Sequence, residues 1–222
     1  MSIFQTFLNY KVFVETLPLI LSGLATTLLL GITCIVLGFV GGLALAVLRL
    51  YAPRPVRFLA IAYIDVFRSM PVLVLLFVIY YALPFAGIRL TSFAAATAAI
   101  SLVASAYSAE IIRAGIEAIP KGQFEAAKAL GLHFITAMRK VILPQALRIV
   151  VPPLTSNAIN VTKDTALASV VAMPDLLKQA NQAQALAANP TPLIVAAGIY
   201  LLILLPLVRL VGLLEVRLAA SR

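Results

Sequence analysis

The stretch "KGQFEAAKALGLHFITAMRKVILPQALRIVVPP", residues 121–153, mixes cations, a carboxylate and apolar side chains in a chain that is otherwise oily. Of the 222 residues, 63% are hydrophobic and 11% are charged, and the mean hydropathy is +1.08. Soluble domains contain about 25% charged residues. The composition therefore indicates an integral membrane protein, in which 121–140 is too charged to cross the bilayer.

Charge-free runs on both sides of this stretch are long enough to cross a membrane as helices, which takes about 20 apolar residues. A shorter run, 149–162, becomes a span if its polar flanks are buried in protein. We therefore predict an all-α polytopic membrane protein with five transmembrane helices in a single domain, 1–222. The predicted spans are approximately 17–48, 58–83, 91–113, 145–167 and 192–214, and the predicted cytoplasmic loop is 118–143.

Positive charges between the predicted spans give the orientation. Most lysines and arginines follow the first, third and fifth spans, and they include Arg49, Arg54, Arg57, Lys121, Lys128, Arg139, Lys140, Arg148, Arg209, Arg217 and Arg222. By the positive-inside rule these segments are cytoplasmic, so the N-terminus is predicted outside and the C-terminus inside. Since membrane topology accounts for the net charge of +9, we predict contact with lipid and no nucleic-acid partner.

Polar residues of the fourth predicted span form one group of candidate site residues. Asn157, Asn160 and Asp164 share a helical face at i, i+3 and i+7. Facing lipid unpaired, each would cost several kcal/mol. The face is therefore either a polar wall of a translocation path or an interhelical hydrogen-bond seam. Lys163 beside Asp164 is a candidate for the same path or marks the outer end of the helix.

Charges in the second and third predicted spans form another group. Asp65 and Arg68 stand three residues apart, and the spacing favours either an intrahelical ion pair or a pore-lining or subunit-contact pair. Glu110 lies deeper than Arg113 and Glu117, and it is predicted as either a structural partner or a site residue. For Arg113 and Glu117 we expect a ladder that stabilises the helix as it leaves the membrane.

No metal site is predicted. Cys34 is the only cysteine and His133 the only histidine, so neither has a second ligand of its kind. We expect Cys34 in the core and His133 on the surface of the cytoplasmic loop. Small residues let membrane helices approach closely, and this role is predicted for the glycines of the first span, which are Gly23, Gly31, Gly38, Gly41 and Gly42.

Residues within 121–153, the stretch quoted first, also recur at helical spacing. Phe124, Ala127, Leu130 and Phe134 recur on one face, and Gly131 allows a sharp bend. We predict a short helix, a bend at Gly131, and a second helix that ends at the Leu-Pro pair of 143–144. Alanines beside an exposed carboxylate suit a knob that fits into a cleft on another protein.

The spacing of Glu125-Ala126-Ala127, three residues, Gly131, nine residues, Val141, one residue and then Leu-Pro resembles the EAA loop of permease subunits of ABC importers, with Val141 where isoleucine is usual. Other stretches are similar to the polar amino acid permease family in particular. They are "VFRSMP" (66–71), "YSAEIIRAGIEAIPKGQFEAAKALG" (107–131), "ILPQALR" (142–148) and "KDTALAS" (163–169).

The resemblance implies a type I ABC importer permease in a bacterial inner membrane, moving a polar amino acid. It implies two permeases, identical or paralogous, each docked on one subunit of an ATPase dimer, and a periplasmic amino-acid-binding protein. Coupling to the ATPase would then involve Glu125, Ala126, Ala127 and Gly131. Because the chain has no G-x-x-x-x-G-K phosphate loop, we expect no enzymatic activity and no cofactor in this chain, with ATP and Mg²⁺ on the ATPase.

Substrate identity stays open at this point. An amino acid needs a cation or helix N-terminus for its carboxylate and an acceptor for its ammonium group. Candidate groups for the path are Arg68, Glu110, Asn157, Asn160, Lys163 and Asp164. One alternative is a permease for another small solute, such as an opine or organic cation. Another is an ion-coupled secondary transporter, for which Glu110 and Asp164 are the deep acids.

Overall fold

The computed structural model describes residues 6–219, with side chains to Leu213, and all regular structure within that part of the chain is helical. The predicted domain, 1–222, extends beyond the described residues at both ends. Arg222 lies outside them, as does the side chain of Arg217.

Helix α1 (Tyr10–Tyr51) is a continuous run of 42 residues. Asn9 caps its start, since Asn9 Oδ1 accepts hydrogen bonds from the backbone N–H groups of Lys11 at 3.1 Å and Val12 at 3.3 Å. At 1.5 Å per residue the helix is about 63 Å long. It therefore exceeds the hydrocarbon core of about 30 Å and contains the predicted span 17–48.

The second predicted span, 58–83, is not a single helix. Its parts are α2 (Arg54–Ser69), α3 (Val72–Phe77), a π turn (Val78–Ala82) and a 3₁₀ turn (Leu83–Ala86). The chain bends by 101° between α2 and the helical segment Val72–Ala86. Pro71, with ψ of 130°, stands at this break, because a proline disfavours helical geometry in the residue before it.

Helix α4 (Ser92–Glu117) corresponds to the third predicted span. In the most apolar 18-residue stretch of α4, 67% is buried inside the chain's own fold. The corresponding share in the last helix of the described chain is 11%. Its alanines, serines and threonines are the small residues that allow close packing between membrane helices. Helix α4 therefore packs largely against other parts of the chain.

The predicted bend at Gly131 is confirmed. Helix α5 (Lys121–Ala129) ends there, Gly131 has a φ of +71°, and the N–H of Leu132 donates to the carbonyl of Ala127 at 3.0 Å. This is a helix C-terminal capping geometry, in which glycine adopts the left-handed conformation without strain.

The predicted helix end at 143–144 is wrong. The chain is helical throughout 134–164, as α6 (Phe134–Ala137), a π turn (Met138–Ile142) and α7 (Leu143–Asp164). In the π turn, the N–H of Leu143 donates to Met138, five residues back. Because Pro144 has no N–H to donate, the widened turn lets the helix continue where a sequence pattern indicates a stop.

A 3₁₀ segment (Thr165–Val171), the short helix α8 (Leu176–Ala187) and the long helix α9 (Thr191–Ala219) complete the described chain. Helix α8 begins one residue after Asp175, which caps it. The fifth predicted span, 192–214, lies within α9.

Two compact units are distinguished in the chain. The first comprises residues up to 36, 70–101 and 159–208, and its core contains Ile20, Leu176, Ala180, Ala183 and Ala196. The second comprises 37–69, 102–158 and residues from 209 on, and its core contains Ala46, Ile64, Ala109, Ile112, Ile116, Ile119, Met138, Ile142, Ala146 and Val150.

Close approach is confirmed at Gly23, Gly38 and Gly42 of α1, whereas a Cβ on Gly31 would make only an ordinary contact, 3.7 Å from Thr165 Cγ2. A Cβ on Gly23 would lie 2.5 Å from the carbonyl oxygen of Asp175, and one on Gly38 would lie 2.7 Å from the Cβ of Ala104. One on Gly42 would collide with Ser108. Cys34 is fully buried, as expected.

Three helices in the described residues are long and apolar enough to cross a membrane, and they are α1, α4 and α9, the last over Thr191–Leu213. The bent pair at Pro71 would make a fourth. Helix α7, which carries the polar face of the fourth predicted span, is not among them. The five-span topology and the external N-terminus therefore stay predictions.

Candidate functional site

The first candidate site is the surface of α5. Glu125 and Ala126 are exposed to solvent. On the opposite side, Ala127 is only 2% exposed and Phe124 packs against the core of the second unit. The helix is thus anchored on one face and presents a carboxylate next to a small side chain on the other. Ala127, predicted with the coupling residues, faces its own chain, where it seats the helix.

The apolar face predicted across Gly131 is divided in two. Phe124 and Ala127 pack inward, whereas Leu130 is 79% exposed and Phe134 is 55% exposed. The left-handed turn at Gly131 rotates the chain, so the helical spacing does not carry across it. Together with Ile135, which is 74% exposed, Leu130 and Phe134 form an apolar rim next to α5.

A glutamine pair ties α5 to α7. Gln145 Nε2 donates to Gln123 Oε1 at 3.3 Å and to the carbonyl of Val141 at 2.8 Å. Since α7 continues from there to Asp164, the exposed helix is joined to the element that carries the predicted polar face.

The second candidate site is a charged cluster around Glu110. Glu110 Oε2 lies 2.8 Å from Arg49 Nη1 and 3.8 Å from Arg68 Nη1. Arg113 pairs with Glu110 one turn away and also with Glu117. The cluster thus joins α1, α2 and α4 and holds three cations against two carboxylates.

Two expectations are decided by this cluster. Of the two alternatives for Asp65 and Arg68, the intrahelical ion pair is wrong, since Arg68 pairs with Glu110 across helices and Asp65 is exposed. The ladder predicted for Arg113 and Glu117 is confirmed.

Arg68 retains the most access to water of the three arginines, with 39% of its side chain exposed, against 19% for Arg49. Its guanidinium carbon lies 5.5 Å from the centre of the Tyr107 ring, within cation–π range. The Tyr107 hydroxyl donates to the carbonyl of Arg68 at 3.3 Å. Arg68 therefore has a backbone carbonyl held by Tyr107 and a guanidinium group that is partly accessible to water.

The polar face of α7 divides into paired and exposed members. Asn157 Nδ2 donates to Ser108 Oγ of α4 at 3.1 Å, which is a seam between helices. Asn160 and Lys163 are exposed, and Asp164 is half-buried. Asp164 is also the last residue of α7, which confirms that the Lys-Asp pair marks the helix end.

No group of three or more potential metal ligands occurs among the residues that the structure describes. His133 is exposed in the loop before α6, as predicted.

Residues 38–220 match the model of the family described as "Binding-protein-dependent transport system inner membrane component". The chain belongs to this family of membrane components.

Curated relatives and solved structures agree with the assignment. The membrane component is 38% identical over 219 residues to a probable glutamine ABC transporter permease of Bacillus subtilis (strain 168), covering 96% of this chain and 100% of the relative. It is 38% identical over 200 residues to an arginine transport system permease of the same strain, covering 89% and 91%.

Among solved structures, a crystal structure of an amino acid ABC transporter with histidines matches with a TM-score of 0.89 and 37% identity, covering 98% of this chain and 100% of that one. Inward facing conformations of a methionine ABC transporter match with a TM-score of 0.70 and 26% identity, covering 90% and 98%. The predicted all-α ABC importer permease fold is confirmed for this membrane component.

Proposed function

We propose that this membrane component is the permease subunit of an ATP-driven importer that moves a polar amino acid from periplasm to cytoplasm across a bacterial inner membrane. Relatives named for glutamine, arginine and L-cystine transport support the substrate class. The family description supports dependence on a separate solute-binding protein.

A separate ATPase, two subunits in the assembled importer, docks on α5 of each of two permeases. ATP and Mg²⁺ bind to the ATPase. The observation that carries this proposal is the exposed pair Glu125 and Ala126 on a helix whose other face, with Phe124 and Ala127, is anchored in the core. An anchored helix transmits displacement to the body of the protein, whereas a free loop would absorb it.

Transmission runs from α5 to α7. When ATP closes the two ATPases, the docked α5 moves, and the hydrogen bond between Gln123 and Gln145 draws α7 with it. Because 134–164 is helical without a break, the movement reaches the polar face near Asp164. That movement exposes the path alternately to the two sides of the membrane.

Of the six predicted path residues, Arg68, Asn160 and Lys163 have exposed side chains and Asp164 is half-buried. They supply cations for a substrate carboxylate and acceptors for its ammonium group. Glu110 and Asn157 are engaged with their own chain, so we assign them to positioning the helices that line the path.

Charge reversal on α5 tests the proposal. The tagged permease is extracted in mild detergent, and the proteins that co-purify are identified for the wild type, Glu125→Arg and Glu15→Arg. Glu15 is the matched control, an exposed glutamate with 62% of its side chain accessible, near the start of α1. We expect an ATPase subunit with the wild type and Glu15→Arg, and at least a roughly tenfold loss, about 1.4 kcal/mol of docking free energy, with Glu125→Arg.

Equal ATPase recovery with Glu125→Arg and the wild type would remove α5 as the docking surface. If no ATPase co-purifies with the wild type while a control importer stays intact, the ion-coupled secondary transporter takes first place.

A further inference from the structure

A buried carboxyl group lies between the 3₁₀ segment and α8, outside the predicted spans. Asp175 is fully buried in the first unit. Its Oδ1 accepts the backbone N–H of Lys178 at 2.8 Å and so caps α8. Its Oδ2 is also buried and has no hydrogen-bond partner among the described residues. A charge at Oδ2 is therefore poorly compensated.

The segment that carries this carboxyl is docked on α1. The approach is close enough that a Cβ on Gly23 would lie 2.5 Å from the carbonyl oxygen of Asp175. The N–H of Leu176 donates to Thr27 Oγ1 at 2.9 Å, and the Leu176 side chain packs with Ile20 in the core. Burial of Asp175 and docking of 173–176 on α1 are thus one arrangement, and undocking exposes the carboxyl to water.

The groups around Asp175 offset the cost of burying its charge only in part. The backbone N–H groups of Asp175, Leu177 and Lys178 favour the ionised carboxyl, but burial outweighs them. From α9, the Tyr200 hydroxyl is within electrostatic range of the carboxyl. Lys178 is the cation that faces it, from its own helix. The α1 residues in contact, Gly23 and Thr27, do not titrate.

Another oxygen of this segment, Gln179 Oε1, is also buried without a hydrogen-bond partner in the described chain. Gln179 stands one helical turn after Asp175. A proton on Oδ2 removes the buried charge and gives this oxygen a hydrogen to donate.

We propose that Asp175 is a proton-binding latch, in which the protonated carboxyl holds segment 173–176 docked on α1 and the ionised carboxyl loosens it. On the predicted topology this latch lies on the outer side, so the external proton concentration acts on it.

Burial raises the pKa of Asp175 from 3.8 to about 6. The docked state therefore binds the proton more tightly than the undocked state, in which the carboxyl meets water. Docking is strongest at low pH and weakens as the pH rises through about 6. With these two pKa values, the ratio of docked to undocked molecules rises about tenfold between pH 7.5 and pH 5.

Hydrogen–deuterium exchange measures this ratio directly. The full-length permease is studied in lipid nanodiscs from pH 5 to pH 7.5, and exchange of peptides covering 171–178 is corrected for the intrinsic rate. Opening of a docked segment controls the exchange of its amides. We expect protection in the wild type to fall about tenfold from pH 5 to pH 7.5, following the ratio above.

Neutral replacements isolate the carboxyl. Asp175→Asn and Asp175→Ser keep a side-chain acceptor for the Lys178 N–H but cannot ionise, so we expect high protection without pH dependence from whichever of the two elutes as a folded protein. Asp65→Asn, at an exposed aspartate, is the matched control and should keep the wild-type response.

Thr27→Val separates docking from titration. It removes the acceptor of the Leu176 N–H, so protection should fall at every pH while the pH response persists. Wild-type protection that does not change with pH would overturn the proposal. So would a wild-type pH response that survives in the neutral variants.

Discussion

At the scale of single residues, Glu110 joins charges from three helices. Arg49 of α1, Arg68 of α2 and Arg113 of its own helix all pair with it. About a fifth of its side chain is exposed (21%), so water screens these pairs less than it screens a surface pair. Without Glu110, three guanidinium groups would remain together with one glutamate, Glu117, at the edge of the cluster.

Glu110→Gln is therefore expected to destabilise the permease. Loss of hydrogen bonds to charged groups and the repulsion that follows should cost about 1.5–3 kcal/mol. Glu117→Gln is the matched change, because Glu117 is 51% exposed and, among the described residues, forms an ion pair with Arg113 and no other cation. Its cost should therefore stay below about 1 kcal/mol. Thermal unfolding in detergent measures both variants, and equal losses would show that Glu110 does not hold the cluster together.

Sequence spacing located the charges of this cluster but not their partners. The i, i+3 spacing offered Asp65 as one possible partner of Arg68, whereas the structure pairs Arg68 with Glu110, 42 residues further along the chain. A spacing rule describes neighbours on one helix. Such a rule cannot predict how α2 packs against α4, and it is this packing that brings Arg68 to Glu110.

At the scale of elements, α8 is bounded by two alanines in the left-handed conformation. Ala172 precedes it with a φ of 58° and Ala188 follows it with a φ of 45°. Alanine in this conformation costs roughly 1 kcal/mol, because its Cβ approaches the following carbonyl. The position after a helix favours glycine for the same reason, so the chain holds α8 in place against local strain.

Alanine-to-glycine changes at Ala188 and Ala185 should shift the stability of the permease in opposite directions. Ala188→Gly relieves the left-handed strain and should stabilise the permease by roughly 0.5–1 kcal/mol. Ala185→Gly, at an exposed position inside α8, should destabilise it by about 1 kcal/mol. Thermal midpoints of the two variants decide the matter, and a decrease in both would show that Ala188 is not strained.

The sequence predicted the helix end at Gly131 correctly, because glycine acts locally. The helix end predicted at Pro144 is wrong, because neighbouring residues compensate for the missing N–H of the proline. Gly131 ends α5 as predicted, because a positive φ is a property of one residue. Pro144 does not end a helix, because the π turn before it supplies a donor from Leu143 to Met138. That compensation depends on the path of the surrounding helix and leaves no mark in the residue pattern.

At the scale of the whole molecule, the number of membrane crossings depends on the break at Pro71. Hydropathy predicted one span over 58–83, and the structure has a 101° bend there. A pattern of apolar residues does not distinguish a broken span from a re-entrant loop, since both bury the same side chains. The two alternatives differ in the side of the membrane on which everything after residue 83 emerges.

Labelling of three cysteines, introduced one at a time, with a membrane-impermeant maleimide distinguishes these topologies. The native Cys34 is fully buried and should not react with the reagent. The exposed positions are Glu15→Cys before the first crossing, Phe85→Cys after the bent pair and Lys128→Cys on α5. In right-side-out spheroplasts we expect residues 15 and 85 to label at once. Residue 128 should label only after permeabilisation, because three crossings separate it from residue 15 and the positive-inside rule places its loop in the cytoplasm.

A re-entrant pair gives a different pattern. Segment 58–83 would then return to the cytoplasmic side, residue 85 would be protected, and residue 128 would label from outside with residue 15. That result would place α5 in the periplasm, where no ATPase can reach it, so it would contradict the docking proposal as well as the five-span topology. Labelling of residue 128 alone would instead invert the whole chain, and it would oppose the charge distribution of the loops.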